Sequence, residues 1–121
     1  MATGRWLQNV VKQEEKAIKE LHYFFCSDAR LKELNEKYLQ HYDYTDVITF
    51  PYYYNPIEAD IYISLERIEE NAARYAENDF FLELDRVIVH GLLHMCGYPD
   101  SSEREKSTMR KLERSYLKIR P

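Results

Sequence analysis

Glycine is nearly missing from this chain. There are three in 121 residues, and two of them, Gly91 and Gly97, lie within residues 90–100. With only four prolines as well, the chain lacks the breakers of a linker, a low-complexity segment or a repeat array. It is read as one domain over residues 1–121, large enough to bury a core without staples. Two cysteines are too few for a disulfide scaffold, and Cys26 and Cys96 read as small buried side chains in a reducing compartment. No apolar run approaches the roughly 18 residues of a membrane span, and no signal-peptide pattern opens the sequence, so a cytoplasmic location is expected.

A basic excess is also missing. The net charge of −4 gives no general attraction to nucleic acid. The charge is uneven, however: residues 1–100 carry 10 Lys/Arg against 18 Asp/Glu, and residues 101–121 carry seven against three. The basic residues of the tail, Arg110 and Arg114 among them, either flank a phosphate-binding cleft or form a solvated helix face.

What is present concentrates in His90-Gly91-Leu92-Leu93-His94-Met95-Cys96-Gly97-Tyr98-Pro99-Asp100. Leu84, Val87, Ile88, Gly91, Leu92 and Met95 recur at the spacing of one helical stripe, and Val89 and Leu93 make much of the remainder apolar. The spacing predicts a buried helix. Two imidazoles one turn apart in it have Cβ atoms roughly 5–6 Å apart, within reach of one ion. Buried imidazoles need partners, because an unsatisfied polar group in an apolar setting is costly. Gly97 supplies the left-handed residue that ends a helix, and Pro99 prevents its resumption. The chain then turns back where Asp100 can reach the same point. His90, His94 and Asp100 read as a three-ligand metal site with one position left for water. The plainer alternative is a pair of hydrogen-bonded core histidines, with Asp100 capping the next helix through an Asp100-Ser101-Ser102-Glu103 box. Glycine inside a helix costs roughly 1 kcal/mol relative to alanine, so Gly91 predicts close approach of another backbone or of a substrate.

The remaining segments follow the same reasoning. Residues 5–19 read as a helix with Trp6, Val10, Val11 and Ile18 inward, and residues 21–26 as a short strand. Ser27 caps a helix to about residue 38, and residues 40–44 read as a loop. Residues 45–53 and 57–63 read as strands across an Asn55-Pro56 turn. Ser64 caps a helix to about residue 76, with Leu65, Ile68, Ala72 and Tyr75 inward. Asn78 or Asp79 starts the histidine helix, and Ser101 or Ser102 starts the last one. The fold class expected is α+β: a small mixed sheet packed with about five helices, and a zincin-like metal site on a buried helix.

With Thr45-Asp46-Val47-Ile48-Thr49-Phe50-Pro51, Asp60-Ile61-Tyr62-Ile63-Ser64 and the histidine stretch in this order, the chain resembles the YbeY family from about Leu21 onward. That family consists of bacterial zinc-dependent endoribonucleases of ribosomal RNA maturation and ribosome quality control. Its signature H-G-x-L-H-L-x-G-Y-D-H reads HGLLHMCGYPD here. The resemblance implies one Zn²⁺ at His90, His94 and position 100, an RNA cleft between the sheet and these ligands, and a small-subunit ribosomal protein as partner. The sequence departs from the pattern at three positions. Asp100 replaces the third histidine, Leu39 stands where an arginine often follows the equivalent of Tyr38, and Ala59 replaces the glycine before the strand aspartate.

A zinc ion with three protein ligands can acidify water and polarise a phosphoryl oxygen. The ligand spacing also matches the metalloprotease pattern H-E-x-x-H-x-x-G-x-x-H, but Gly91 stands at the glutamate that would act as base. Loss of that base would cost about 10²–10⁴-fold in rate, whereas RNA cleavage can use the substrate's own 2′-OH. The pattern therefore favours RNA over peptide. A non-catalytic assembly factor with a structural metal is the other reading, given Leu39. Tyr52 and Tyr54 either stack unpaired bases or cover the two sheet faces. Asp46 and His41 are the further candidates for acid–base work, although His41, a lone loop histidine, reads more readily as a surface residue.

Overall fold

A computed structural model describes residues 2–40 and 45–121. The elements run α1 (Ala2–Gln13), β1 (Ile18–Cys26), α2 (Asp28–Leu39), β2 (Val47–Tyr54), β3 (Ile57–Ser64), α3 (Leu65–Tyr75), α4 (Phe80–Met95) and α5 (Glu103–Leu117). The expected α+β class holds: the strands form one mixed sheet of order β1-β3-β2, with β1 parallel and β2 antiparallel to β3.

Strand β3 is central, and its alternation decides the layering. Ile57, Ala59, Ile61 and Ile63 are buried beneath the helices, while Glu58, Asp60 and Tyr62 point to the other face. On the first face these isoleucines meet Trp6, Val10 and Val11 of α1, Val87, Leu92 and Met95 of α4, and Met109 and Tyr116 of α5 in one cluster. On the second face Leu31 and Leu34 of α2 cover Ile48, with Phe50 and Tyr62 beside them. Burial of this apolar surface, at about 25 cal/mol per Å², is what holds α4 against the sheet. Among the described residues, no helix is long and apolar enough to cross a membrane.

The first helix is shorter than its periodicity predicts. It ends at Gln13, Glu15 takes a left-handed conformation at φ 59°, and Ile18 is the first residue of β1, paired with Ile57. Ile18 lies seven residues after Val11 and so continues a helical stripe in the sequence. Pairing with a strand some forty positions away overrides that local pattern. Helix α3 buries Ile68 and Ala72, as expected, but Leu65 and Tyr75 are exposed rather than inward. The helix turns only its middle toward the core. Ser27, Ser64, Asp79 and Ser102 each accept a backbone N–H as helix caps. The capping box of α5 pairs Ser102 with Glu105, so Asp100 is not its cap.

Gly91 has a different neighbour from the backbone or substrate expected of it. A Cβ there would lie 3.1 Å from Cδ1 and 3.3 Å from Cγ2 of Ile61, with Oγ1 of Thr49 at 3.6 Å. The missing side chain lets α4 rest on the central strand, which brings His90 and His94 toward β2. Gly91→Leu should therefore overpack this contact and lose about 1–3 kcal/mol, read from the urea midpoint. An unchanged midpoint would contradict the seating of α4 on Ile61.

Candidate metal centre

Helix α4 ends in a tight reversal. The N–H of Gly97 donates to the carbonyl of His94 at 3.0 Å and that of Tyr98 to Leu93 at 3.1 Å, with Gly97 at φ 101°. This reversal carries the chain back over the last turn of the helix and delivers Asp100 to its histidine face. The carboxylate Oδ2 of Asp100 lies 3.4 Å from Nε2 of His90 and 3.5 Å from Nε2 of His94, and the two Nε2 atoms are 3.0 Å apart. A tetrahedral ion with bonds of roughly 2.0–2.1 Å sets its donors about 3.3 Å apart. The three separations approximate one face of such a tetrahedron.

The hydrogen bonds behind the rings explain why both Nε2 atoms point inward. Nδ1 of His94 faces the carbonyl of Tyr98 at 2.8 Å. A carbonyl only accepts, so Nδ1 carries the proton and Nε2 is left with a lone pair. Nδ1 of His90 faces Oε2 of Glu113 at 2.6 Å and is fixed in the same sense. With both rings neutral, two lone pairs face each other at 3.0 Å beside a carboxylate oxygen. A cation between them resolves that repulsion, so the donor set and its hydrogen bonds fit a divalent metal. Among the described residues this is the one group of His, Cys, Asp and Glu side chains arranged to hold an ion.

Sequence reasoning missed the support behind His90. Glu113 is buried on α5, where its other oxygen accepts from Nη1 of Arg86 at 3.3 Å. Arg86 also donates to buried Glu83 through Nε at 2.9 Å and Nη2 at 2.8 Å, and its Nη2 lies 3.4 Å from Oδ2 of Asp46. Burial works against the charge on Arg86, but the hydrogen bonds to Glu83 and the charges of Glu83, Glu113 and Asp46 outweigh it and hold its pKa above the usual arginine value. A signal existed. Glu83, Arg86 and His90 fall on one face of an otherwise apolar helix, and Glu113 occupies the core stripe between Met109 and Tyr116. His94 has its own support: the hydroxyls of Tyr98 and Tyr116 both donate to Glu14, just past α1. Its bond to Glu14 pushes the Tyr98 phenol up to about 12, so it donates at neutral pH.

Three clefts meet at the donor triangle. The first, about 640 Å³, has His90, Asp100 and Arg86 on one side and Lys106, Arg110 and Arg114 of α5 on the other. The second, about 400 Å³, is lined by all three donors with Leu39, Asp46 and Thr49. The third, about 420 Å³, runs from His94 past Thr49 and Pro51 to Tyr54. Tyr52 is not with them: it keeps the outer face of Phe50, where its hydroxyl donates to Asp60 at 2.8 Å, and the bulge after Pro51 is what turns Tyr54 to the face of Thr49. His41 lies outside the described residues.

Comparison with known proteins identifies the family. The family model described as Endoribonuclease YbeY matches residues 2–120. The chain belongs to the YbeY family. The match takes in α1, which extends the resemblance upstream of Leu21. Proteins named Endoribonuclease YbeY include one from Amoebophilus asiaticus, 46% identical over 93% of this chain and 77% of its own length. Another, from Bacteroides thetaiotaomicron, is 41% identical over 98% of this chain and 86% of its own. The solution structure of TM1509 from Thermotoga maritima superposes with a TM-score of 0.69 at 29% identity, over 96% of this chain and 77% of that one. For a YbeY chain with Asp100 in the triangle, the carboxylate behind His90 becomes a point of control. Glu113→Gln keeps the shape and removes the charge. It should weaken divalent-metal affinity about 10–100-fold, measured by competition with a chromophoric chelator.

Proposed function

We propose that this chain is a metal-dependent endoribonuclease acting on single-stranded RNA. Its cellular role in this reading is the maturation of ribosomal RNA 3′ ends and ribosome quality control, in the cytoplasm, with a small-subunit ribosomal protein as partner. Residues 1–121 serve as one hydrolase domain. The observation that carries the reading is the convergence of three clefts on the His90, His94 and Asp100 donors, one cleft being walled by arginines. Membership of a family whose relatives are named as endoribonucleases supports it.

His90, His94 and Asp100 would hold the ion, one Zn²⁺ per chain. When bound, it supplies Lewis-acid polarisation of a phosphoryl oxygen and neutralises charge on the transferring group. Glu113 and the Tyr98 carbonyl keep a proton on each Nδ1, so both rings present Nε2 to the cleft. Arg110 and Arg114 hold the RNA backbone by charge and fix its register. Tyr54 offers a ring to an unpaired base in the third cleft, and Tyr52 has a place only in RNA that wraps to the outer sheet face. Asp46 is the carboxylate of the second cleft that lies outside the donor triangle, and we assign it the proton from the attacking hydroxyl.

Leu39 supports a second reading. It lines the second cleft where the family resemblance calls for arginine, so the chain would be an assembly factor with a structural metal. A peptidase fares worse, because position 91 has no side chain and is packed against Ile61.

Purified protein should cleave single-stranded RNA, lose that activity to a chelator and regain it with Zn²⁺. His94→Ala should lose metal, by mass spectrometry, together with cleavage. Metal-loaded protein that leaves RNA intact would favour the assembly-factor reading. Arg110→Glu combined with Arg114→Glu should weaken RNA binding and flatten its dependence on salt. Binding that is unchanged across a salt titration would reduce α5 to scaffold.

A further inference from the structure

The cleft walled by α5 is built for more than phosphate. Beyond His90 and Asp100 it extends to the end of α3, where Tyr75, Ala76, Leu82 and Leu117 line it. Tyr75 is 76% exposed and, among the described residues, has no ring partner, whereas Phe24, Tyr38, Phe50 and Tyr62 form a chain of ring contacts elsewhere. The fold does not use this ring. Across from it Lys106, Arg110 and Arg114 stand at i, i+4 and i+8 on one face of α5, all exposed. None of the three has an ion pair among the described residues, while Arg86 in the same cleft has its charge met by Glu83 and Glu113. Like charges at this spacing repel, so an anion gains what the fold does not. The volume, about 640 Å³, lies in the range of small-molecule sites.

A flat apolar end beside three cations without an ion pair among the described residues fits a ligand that is planar at one end and anionic at the other. We infer that this cleft is a nucleotide subsite, taking one unstacked nucleotide of the RNA with its base on Tyr75 and its phosphate on Lys106, Arg110 and Arg114. Aromatic rings and guanidinium planes both stack on bases. Ala76, Leu82 and Leu117 carry no side-chain group that reads a base edge, so the end beside Tyr75 discriminates little among bases. A base seated there must leave its pair, which excludes duplex from the side of the centre facing α5. The placement of RNA rests on the endoribonuclease reading, but nucleotide binding itself requires neither metal nor cleavage.

The test uses the full chain with chelator present, titrated with adenosine monophosphate and, separately, with ribose 5-phosphate, which lacks the base. Two-dimensional NMR should show saturable binding of the nucleotide that shifts Tyr75, Leu82, Leu117 and Arg110. Its affinity should exceed that of ribose 5-phosphate by about 5–150-fold, as expected for one base–aromatic stack. Tyr75→Ala, at an exposed position, should remove most of that difference and leave ribose 5-phosphate binding unchanged. Arg110→Gln with Arg114→Gln should weaken both ligands. Equal affinities, no saturable nucleotide binding, or shifts confined to other parts of the chain would overturn the subsite. Nucleotide binding without any RNA cleavage would keep the subsite and remove the nuclease. Cleavage by a protein indifferent to the base would do the reverse.

Discussion

Each imidazole on α4 commits its Nδ1 to a fixed partner, and the rest of the site depends on that constraint. His94 is tied to a carbonyl that exists in that place only because α4 ends in a left-handed glycine. His90 is tied to Glu113, which is in place only because α5 docks on α4 through Met109 and Tyr116. The docking is itself fixed from α1, where Nε1 of Trp6 donates to the carbonyl of Tyr116 at 3.0 Å and Glu14 receives two tyrosine hydroxyls. Helices far apart in sequence therefore share the task of aiming two lone pairs at one point.

This aim carries an energetic cost. Glu83 and Glu113 are both buried, and only the guanidinium of Arg86 lies between them. Taking such charges out of water costs several kcal/mol per ion, and the attraction among them returns that only when the geometry is good. An apolar cluster at these positions would serve the fold as well or better. The group makes sense as a device for orientation, because it fixes the acceptor of His90 and reaches Asp46 beside the second cleft.

Much of this was legible in the sequence, and the rest was not for physical reasons. The histidine helix, its glycine stop and the return of Asp100 follow from local chemistry that a sequence displays: periodicity, a residue free to take positive φ, and a proline. The caps at Ser27 and Ser64 are local in the same sense. The end of α1 was not legible, because Ile18 continues a helical stripe and is claimed by a strand remote in the chain. The buried acid behind His90 escaped too. Glu113 sits in a helix whose neighbours are mostly basic and solvated, and only its register with Met109 and Tyr116 sets it apart. Tyr75 shows the reverse error, since helical spacing places it inward and the end of α3 leaves it in the open.

The donors all fall within residues 90–100, and this brevity has a thermodynamic meaning. A cross-link stabilises a fold largely by removing freedom from the unfolded chain, and the gain grows with the length of loop it closes. Here an ion would close a ring that the last turn of α4, its reversal at Gly97 and the cap at Ser102 have already drawn nearly shut. Little chain entropy remains for it to remove. The sheet and the cluster beneath it hold this geometry by themselves, so an ion would meet its donors already in place.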